Sequence, residues 1–172
     1  MQYQVSYLSP NGHARKVAEA ITDILPPDTK LLDLQESCEV YAETLIIGFE
    51  LNEASIRAVP YPIMELLSEL KNHKVILFVT SPFKVDINAR SVLEYRIAPF
   101  IPGGCQYKGL FLCAGQASGS FLNEVRKNAE QRPEDNQAKA FLAHCEESIG
   151  HPDETDLLKA CHFVADALHL KF

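Results

Sequence analysis

The chain has 172 residues, 47% of them apolar and 23% charged, and a formal net charge of −7. That length and apolar share suit one domain, spanning 1–172, with a well-buried core. The acidic balance argues against nucleic acid or an anionic membrane surface as a main partner. No run of about 18 apolar residues occurs and no basic-then-apolar leader opens the chain, so no membrane span and a cytoplasmic setting are expected.

Tyr3, Val5 and Tyr7 alternate with polar residues and Leu8 follows, which reads as a strand. Residues 15–25 read as a helix with Val17, Ile21, Ile24 and Leu25 on one face. Between them lies Ser9-Pro10-Asn11-Gly12-His13-Ala14, a short loop carrying a hydroxyl, an amide, a glycine and free backbone N–H groups. At a helix N-terminus such a loop suits an anion, because the first-turn N–H groups lack partners and the helix dipole favours negative charge. The same residue types also serve as caps and turn formers, so shape alone leaves both readings open. No G-x-G-x-x-G follows the strand and no G-x-x-x-x-G-K-S/T is present, which disfavours a dinucleotide-binding unit and excludes a P-loop.

Pro26-Pro27-Asp28 stops the helix. Residues 30–34 form a short edge strand, and 35–42 a polar connection. The apolar run 44–48 suits a central parallel strand covered on both faces, ending in a loop over 48–55. Pro62 opens a helix with Ile63, Leu66, Leu67 and Leu70 on one side. Residues 74–79 are the strongest strand and end in the loop 80–83. A helix over 86–98 turns Ala89, Val92, Leu93 and Ile97 inward, and Pro99 and Pro102-Gly103-Gly104 break it. Residues 108–113 are the last strand, opening into 114–119. Residues 123–150 are polar, with local helix and little fixed core; the polar 114–150 region is a candidate contact surface. Asp153 caps a final helix with an apolar stripe of Leu157, Cys161, Val164, Ala165 and Leu168.

Strand–helix alternation implies an α/β fold, a parallel sheet with helices on both faces. Ligands of such sheets bind beyond the carboxyl ends of the strands, where strand order reverses. The loops at 9–14, 48–55, 80–85 and 114–119 all follow strands and are expected to meet at one edge. The five cysteines are widely spaced without C-x-x-C, which disfavours a zinc ribbon or a redox pair; Cys113 and Cys161 sit in apolar patterns as core residues. His144, His151, His162 and His169 are joined by no carboxylate and cysteine set at ligand spacing, so no metal site is expected, and no catalytic residue stands out.

Three segments resemble the flavodoxin family. Residues 7–14, followed by Val17-Ala18-Glu19-Ala20-Ile21, are similar to its phosphate loop, Ser/Thr–x–Ser/Thr–Gly–Asn/Thr–Ser/Thr, and the helix behind it. Residues 70–78 are similar to the entry of its fourth strand. Residues 109–116, with 132–136 and 151–154 downstream, are similar to a tail found in flavodoxin-like proteins of anaerobes. The resemblance covers essentially the whole chain. It implies a flavodoxin-like three-layer sandwich with a five-stranded parallel sheet in order 2-1-3-4-5, and a non-covalent FMN. By resemblance, Ser9, Asn11, Gly12, His13 and Ala14 hold the phosphate. Gly48, Phe49, Glu50, Leu51 and Asn52 flank the isoalloxazine ring with Thr80, Ser81, Pro82, Phe83 and Gln116, and Phe49 and Phe83 are apolar enough to cover a ring face. Glu50 and Glu53 either oppose negative charge on a reduced ring or stand as solvated loop charges.

The pattern also departs from the family. Asn11 replaces a hydroxyl residue, His13 stands where Asn or Thr is common, Ala14 lacks a hydroxyl, and Pro82 removes an N–H donor. One lost hydrogen bond costs about 1–3 kcal/mol where its partner stays buried, enough to lower FMN affinity by about one or two powers of ten. The resemblance implies an electron carrier rather than a stand-alone oxidoreductase, its acidic surface docking on a basic patch of a redox partner protein such as a reductase. Two alternatives are an FMN-dependent quinone-type reductase, which no substrate motif supports, and an interaction protein that has lost FMN, which the departures motivate. A receiver domain needs an acidic pair after the first strand and an aspartate ending the third; Leu8-Ser9 and Gly48-Phe49 stand there instead.

Overall fold

A computed structural model of the chain describes residues 2–55 and 58–171. Its strands are β1 (Tyr3–Leu8), β2 (Lys30–Asp33), β3 (Thr44–Glu50), β4 (Lys74–Ser81) and β5 (Gln106–Ala114). All neighbours pair in parallel, in the order β2-β1-β3-β4-β5 implied by the family resemblance. The helices are α1 (His13–Asp23), α2 (Tyr61–Glu69), α3 (Ala89–Ile97), α4 (Gly119–Gln131), α5 (Asn136–Glu147) and α6 (Glu154–Leu168).

The period of two along each strand divides the core. In β3 and β4, Leu45, Ile47, Phe49, Val75, Leu77 and Val79 face α2 and α3, where Ile63, Leu66, Leu67, Leu93 and Ile97 meet them. Ile46, Ile76 and Phe78 face the other way, toward Val17 and Ile21 of α1 and Val164 of α6. Gly48 lies on that second face, directly beside Phe78 in the sheet register. A methyl group at Gly48 would fall 1.9–2.0 Å from carbons of the buried Phe78 ring.

Several boundaries differ from expectation. β3 runs two residues past Gly48, and β4 two past Val79, because both strands keep neighbours: Glu50 pairs with Thr80, and Ser81 with Ala114. β2 and β3 are joined without a helix, so strands and helices do not alternate strictly. α1 begins at His13 rather than at residue 15. α3 begins at Ala89, since the Asp86 side chain accepts from Asn88 N at 2.9 Å and turns 86–88 into a cap-like loop. Leu93 and Ile97 of that helix are buried, but Val92 is 47% exposed.

The largest correction concerns 123–150. This stretch holds fixed core: Val125 of α4 and Cys145 of α5 form a cluster with Leu122, Phe83 and Ala117, edged by Phe121 and Leu142. The Phe83 ring centroid lies 5.7 Å from that of Phe121 and 5.0 Å from that of Phe141. Among the described residues, no helix is long and apolar enough to cross a membrane.

Candidate functional site

All four strand-end loops meet where strand order reverses, as the fold requires. β1 hands the chain to β2 on one side, while β3 occupies the other. A cavity of about 670 Å3 lies at this edge, in the size range of cofactor sites. Asn11 and His13 line it from the first loop, Glu50 and Asn52 from the second, Thr80 to Pro82 from the third, and Gly115, Gln116 and Ser118 from the fourth. The apolar part of its wall is aliphatic, from Leu8, Leu51, Ala58 and Pro60.

The β1–α1 loop is built as an anion cradle. Gly12 is the N-cap of α1, in a left-handed conformation (φ +85°) that a residue with a side chain adopts only under strain. Its N–H turns back to the Ser9 carbonyl at 3.3 Å, so it does not point at the anion, against expectation. The turn instead aims the N–H groups of Asn11, His13 and Ala14 at one point, together with the Ser9 hydroxyl and the Asn11 amide.

At that point sits the chain's own Glu50 carboxylate. Oε1 accepts from His13 N at 2.7 Å, from Ala14 N at 3.1 Å and from the Ser9 hydroxyl. Oε2 accepts from Asn11 N and Asn11 Nδ2, both at 3.0 Å. The Ser9 oxygen in turn accepts from Arg15 N at 2.9 Å, tying the first turn of α1 into the same network. Glu50 is 8% exposed. Its burial and its five hydrogen bonds set it apart from a solvated loop charge. The strand period explains the placement: residue 50 shares the face of Ile46 and Gly48, which is the face α1 covers, and β3 lies next to β1.

The second loop is held at its other end as well. Glu53 accepts from Ser118 N, and through Oε2 from Ser118 Oγ at 2.9 Å, at the N-cap of α4. Leu51 N donates to the Thr80 carbonyl at 2.9 Å between the two anchors. The loop thus spans the cavity edge from the β1–α1 loop to the β5–α4 loop. The sequence reading missed the Glu53–Ser118 contact; its signal is a serine in capping position before Gly119-Ser120-Phe121.

The remaining candidates divide between cavity and scaffold. Asn52 is exposed and accepts from Ala54 N at 2.8 Å through Oδ1. Ser81 and Pro82 turn carbonyls to the scaffold, accepting from Gly115 N at 2.5 Å and from Ser148 Oγ at 3.1 Å. Gln116 Oε1 accepts from Gly150 N at 2.9 Å. Gly48, Phe49 and Phe83 do not line the cavity. Phe49 is fully buried against α2 and α3, because it shares the face of Leu45 and Ile47. Phe83 belongs to the α4–α5 cluster. Among the described lining residues there is no Phe, Tyr or Trp, and His13 brings an imidazole to the wall beside the aliphatic side chains.

Away from the cavity, His151, Asp153 and Asp156 converge, a grouping that linear spacing concealed. It is a capping box: Asp153 accepts from Asp156 N at 2.9 Å, and Asp156 accepts from Asp153 N at 3.0 Å and lies 2.5 Å from His151 Nδ1. Cys113, Cys145 and Cys161 are buried. Burial pushes the thiols of Cys113 and Cys145 up, the latter to about 11, the reverse of what a nucleophile needs.

The cradle's donors fit a phosphate in kind: they are short, convergent, at a helix N-terminus, and they already hold an anion. A family model described as the flavodoxin domain matches residues 4–165. The chain belongs to the flavodoxin domain family. The flavodoxin-like domain-containing protein BilS of Clostridium symbiosum is 24% identical, with 98% of this chain and 96% of that protein covered. A protein of the same name from Clostridioides difficile is 22% identical, with 98% and 97% covered. Oxidised flavodoxin 2 from Bacillus cereus superposes with a TM-score of 0.59 at 13% identity, covering 98% of this chain and 99% of that one. A Streptococcus pneumoniae flavodoxin does so with a TM-score of 0.56 at 11% identity, covering 98% and 99%. At such identities the superpositions establish the flavodoxin fold.

Proposed function

We propose that this flavodoxin-domain chain binds FMN in the cavity at the carboxyl edge of its sheet and carries electrons for a redox partner protein. The observation that supports it is the convergence of Ser9, Asn11, His13 and Ala14 donors on one anion at the wall of a partly apolar cavity. In this reading those donors hold the phosphate once Glu50 moves aside. Leu8, Leu51, Ala58 and Pro60 give the ring an apolar bed and keep water from it, and the loop tied down by Glu53 limits its movement. A bound flavin supplies electron transfer through its ring system, and the protein supplies orientation and electrostatics. No acid, base or nucleophile is assigned to the chain. The net charge of −7 suits docking on a basic patch of a reductase or oxidoreductase.

One observation favours a second reading, an interaction protein of the same fold without FMN: the cradle is filled by Glu50. Titrating FMN against the protein while following flavin fluorescence separates the two. Saturable quenching approaching one flavin per chain is expected. Fluorescence that stays at its free value throughout leaves the interaction-protein reading in its place.

A further inference from the structure

We infer that the Glu50 carboxylate is a built-in competitor for the ligand's phosphate group, and so sets how strongly this cavity prefers a phosphorylated ligand over its unphosphorylated form. The inference deepens the flavin reading and rests on it for one of its two probes.

Each of the cradle's groups already donates to Glu50. Oε1 takes Ser9 Oγ, His13 N and Ala14 N; Oε2 takes Asn11 N and Asn11 Nδ2. A carboxylate offers about four lone-pair positions, so this one is saturated. A phosphate entering the loop needs the same N–H and O–H groups. Two anions in contact repel each other, so they cannot share them. Binding is therefore an exchange, and the phosphate contributes only the difference between two anions for one set of donors.

The exchange is mechanically simple. Glu50 ends β3, and its side chain borders the cavity. The backbone stays fixed by the Leu51 N to Thr80 O bond while the side chain swings out. Glu50 also fills a place that the loop leaves open: Gly12 has no side chain to cap α1, and the first turn of α1 holds no acidic residue. This carboxylate is thus both the cap of α1 and the counter-charge of its dipole, and it is nine-tenths buried.

The test compares wild type with Glu50→Ala and Glu50→Gln. The first probe is inorganic phosphate, with chloride at equal ionic strength as control, read as the thermal midpoint. Wild type is expected to be unmoved. Glu50→Ala is expected to start lower and to recover by several degrees as phosphate fills the cradle. Glu50→Gln keeps the side-chain shape without the charge and covers the case where the alanine variant fails to fold. The second probe is the ratio of FMN to riboflavin affinity, expected to rise about tenfold or more from wild type to the variants. A wild type stabilised by phosphate as much as the variants, or a ratio equal in all three proteins, overturns the inference. Phosphate rescue of Glu50→Ala with no flavin bound by any of the proteins upholds the competition and removes the flavin reading instead.

Discussion

At residue scale, the behaviour of this protein turns on Glu50 and Gly48, which share a sheet face. Removing the Glu50 carboxylate in phosphate-free buffer leaves the cradle N–H groups, the buried Ala14 N among them, without their acceptor, at about 1–3 kcal/mol. For a chain of this size, at about 2–4 °C per kcal/mol, that is a fall in thermal midpoint of about 2–12 °C for Glu50→Ala, read by calorimetry. Gly48→Ala acts through packing. The new methyl overlaps the Phe78 ring, and overpacking of this kind costs about 1–3 kcal/mol. Urea unfolding is expected to show that loss, and the double variant with Phe78→Leu to regain part of it. The anion-loop residues were legible at this scale, because a strand, a polar Gly-containing turn and an amphipathic helix adjoin. Glu50 was not. The apolar run stops at Gly48, which makes residues 48–50 look like loop, whereas continuing the alternation sends Phe49 to the α2 face and Glu50 to the α1 face.

At the scale of elements, strands buried on both faces announce themselves as apolar runs, and those of β3 and β4 fall in place but stop two residues short of the strand ends. The α4–α5 pair was harder. Phe121, Leu122, Val125, Phe141, Leu142 and Cys145 are scattered among charges and pack largely on one another. Their apolar period is diluted to the point of looking like a polar linker. Phe83→Ala separates the two roles considered for that ring. It opens a cavity in the cluster at about 3–5 kcal/mol, read by denaturant, and leaves flavin affinity unchanged. The buried thiols of β5 and α5 add a pH dependence. Burial raises Cys145 from 9.0 to about 11 in the folded chain, and Cys113 moves the same way. Above about pH 9 the unfolded chain sheds these protons first, so the folded state binds more of them and stability falls as pH climbs toward 11. Cys145→Ala is expected to flatten that decline in midpoints measured across the range.

At the scale of the molecule, the parallel sheet and the edge that carries the site follow from alternating strands and helices and the handedness of their connections. The order β2-β1-β3-β4-β5 came from the family resemblance. The acidic surface gives a prediction of its own. If it steers docking on a basic partner, electron transfer to such a partner slows as salt rises, with the association rate falling and the protein's flavin affinity for riboflavin unaffected. Stopped-flow mixing over a salt series reads this. The most direct test of the central claim, a flavin site at the carboxyl edge, is equilibrium dialysis of the wild-type protein against FMN, read as the visible spectrum of each compartment. The account predicts excess flavin on the protein side, saturating near one per chain with perturbed bands. Equal flavin on both sides, with unperturbed spectra at every concentration, contradicts it.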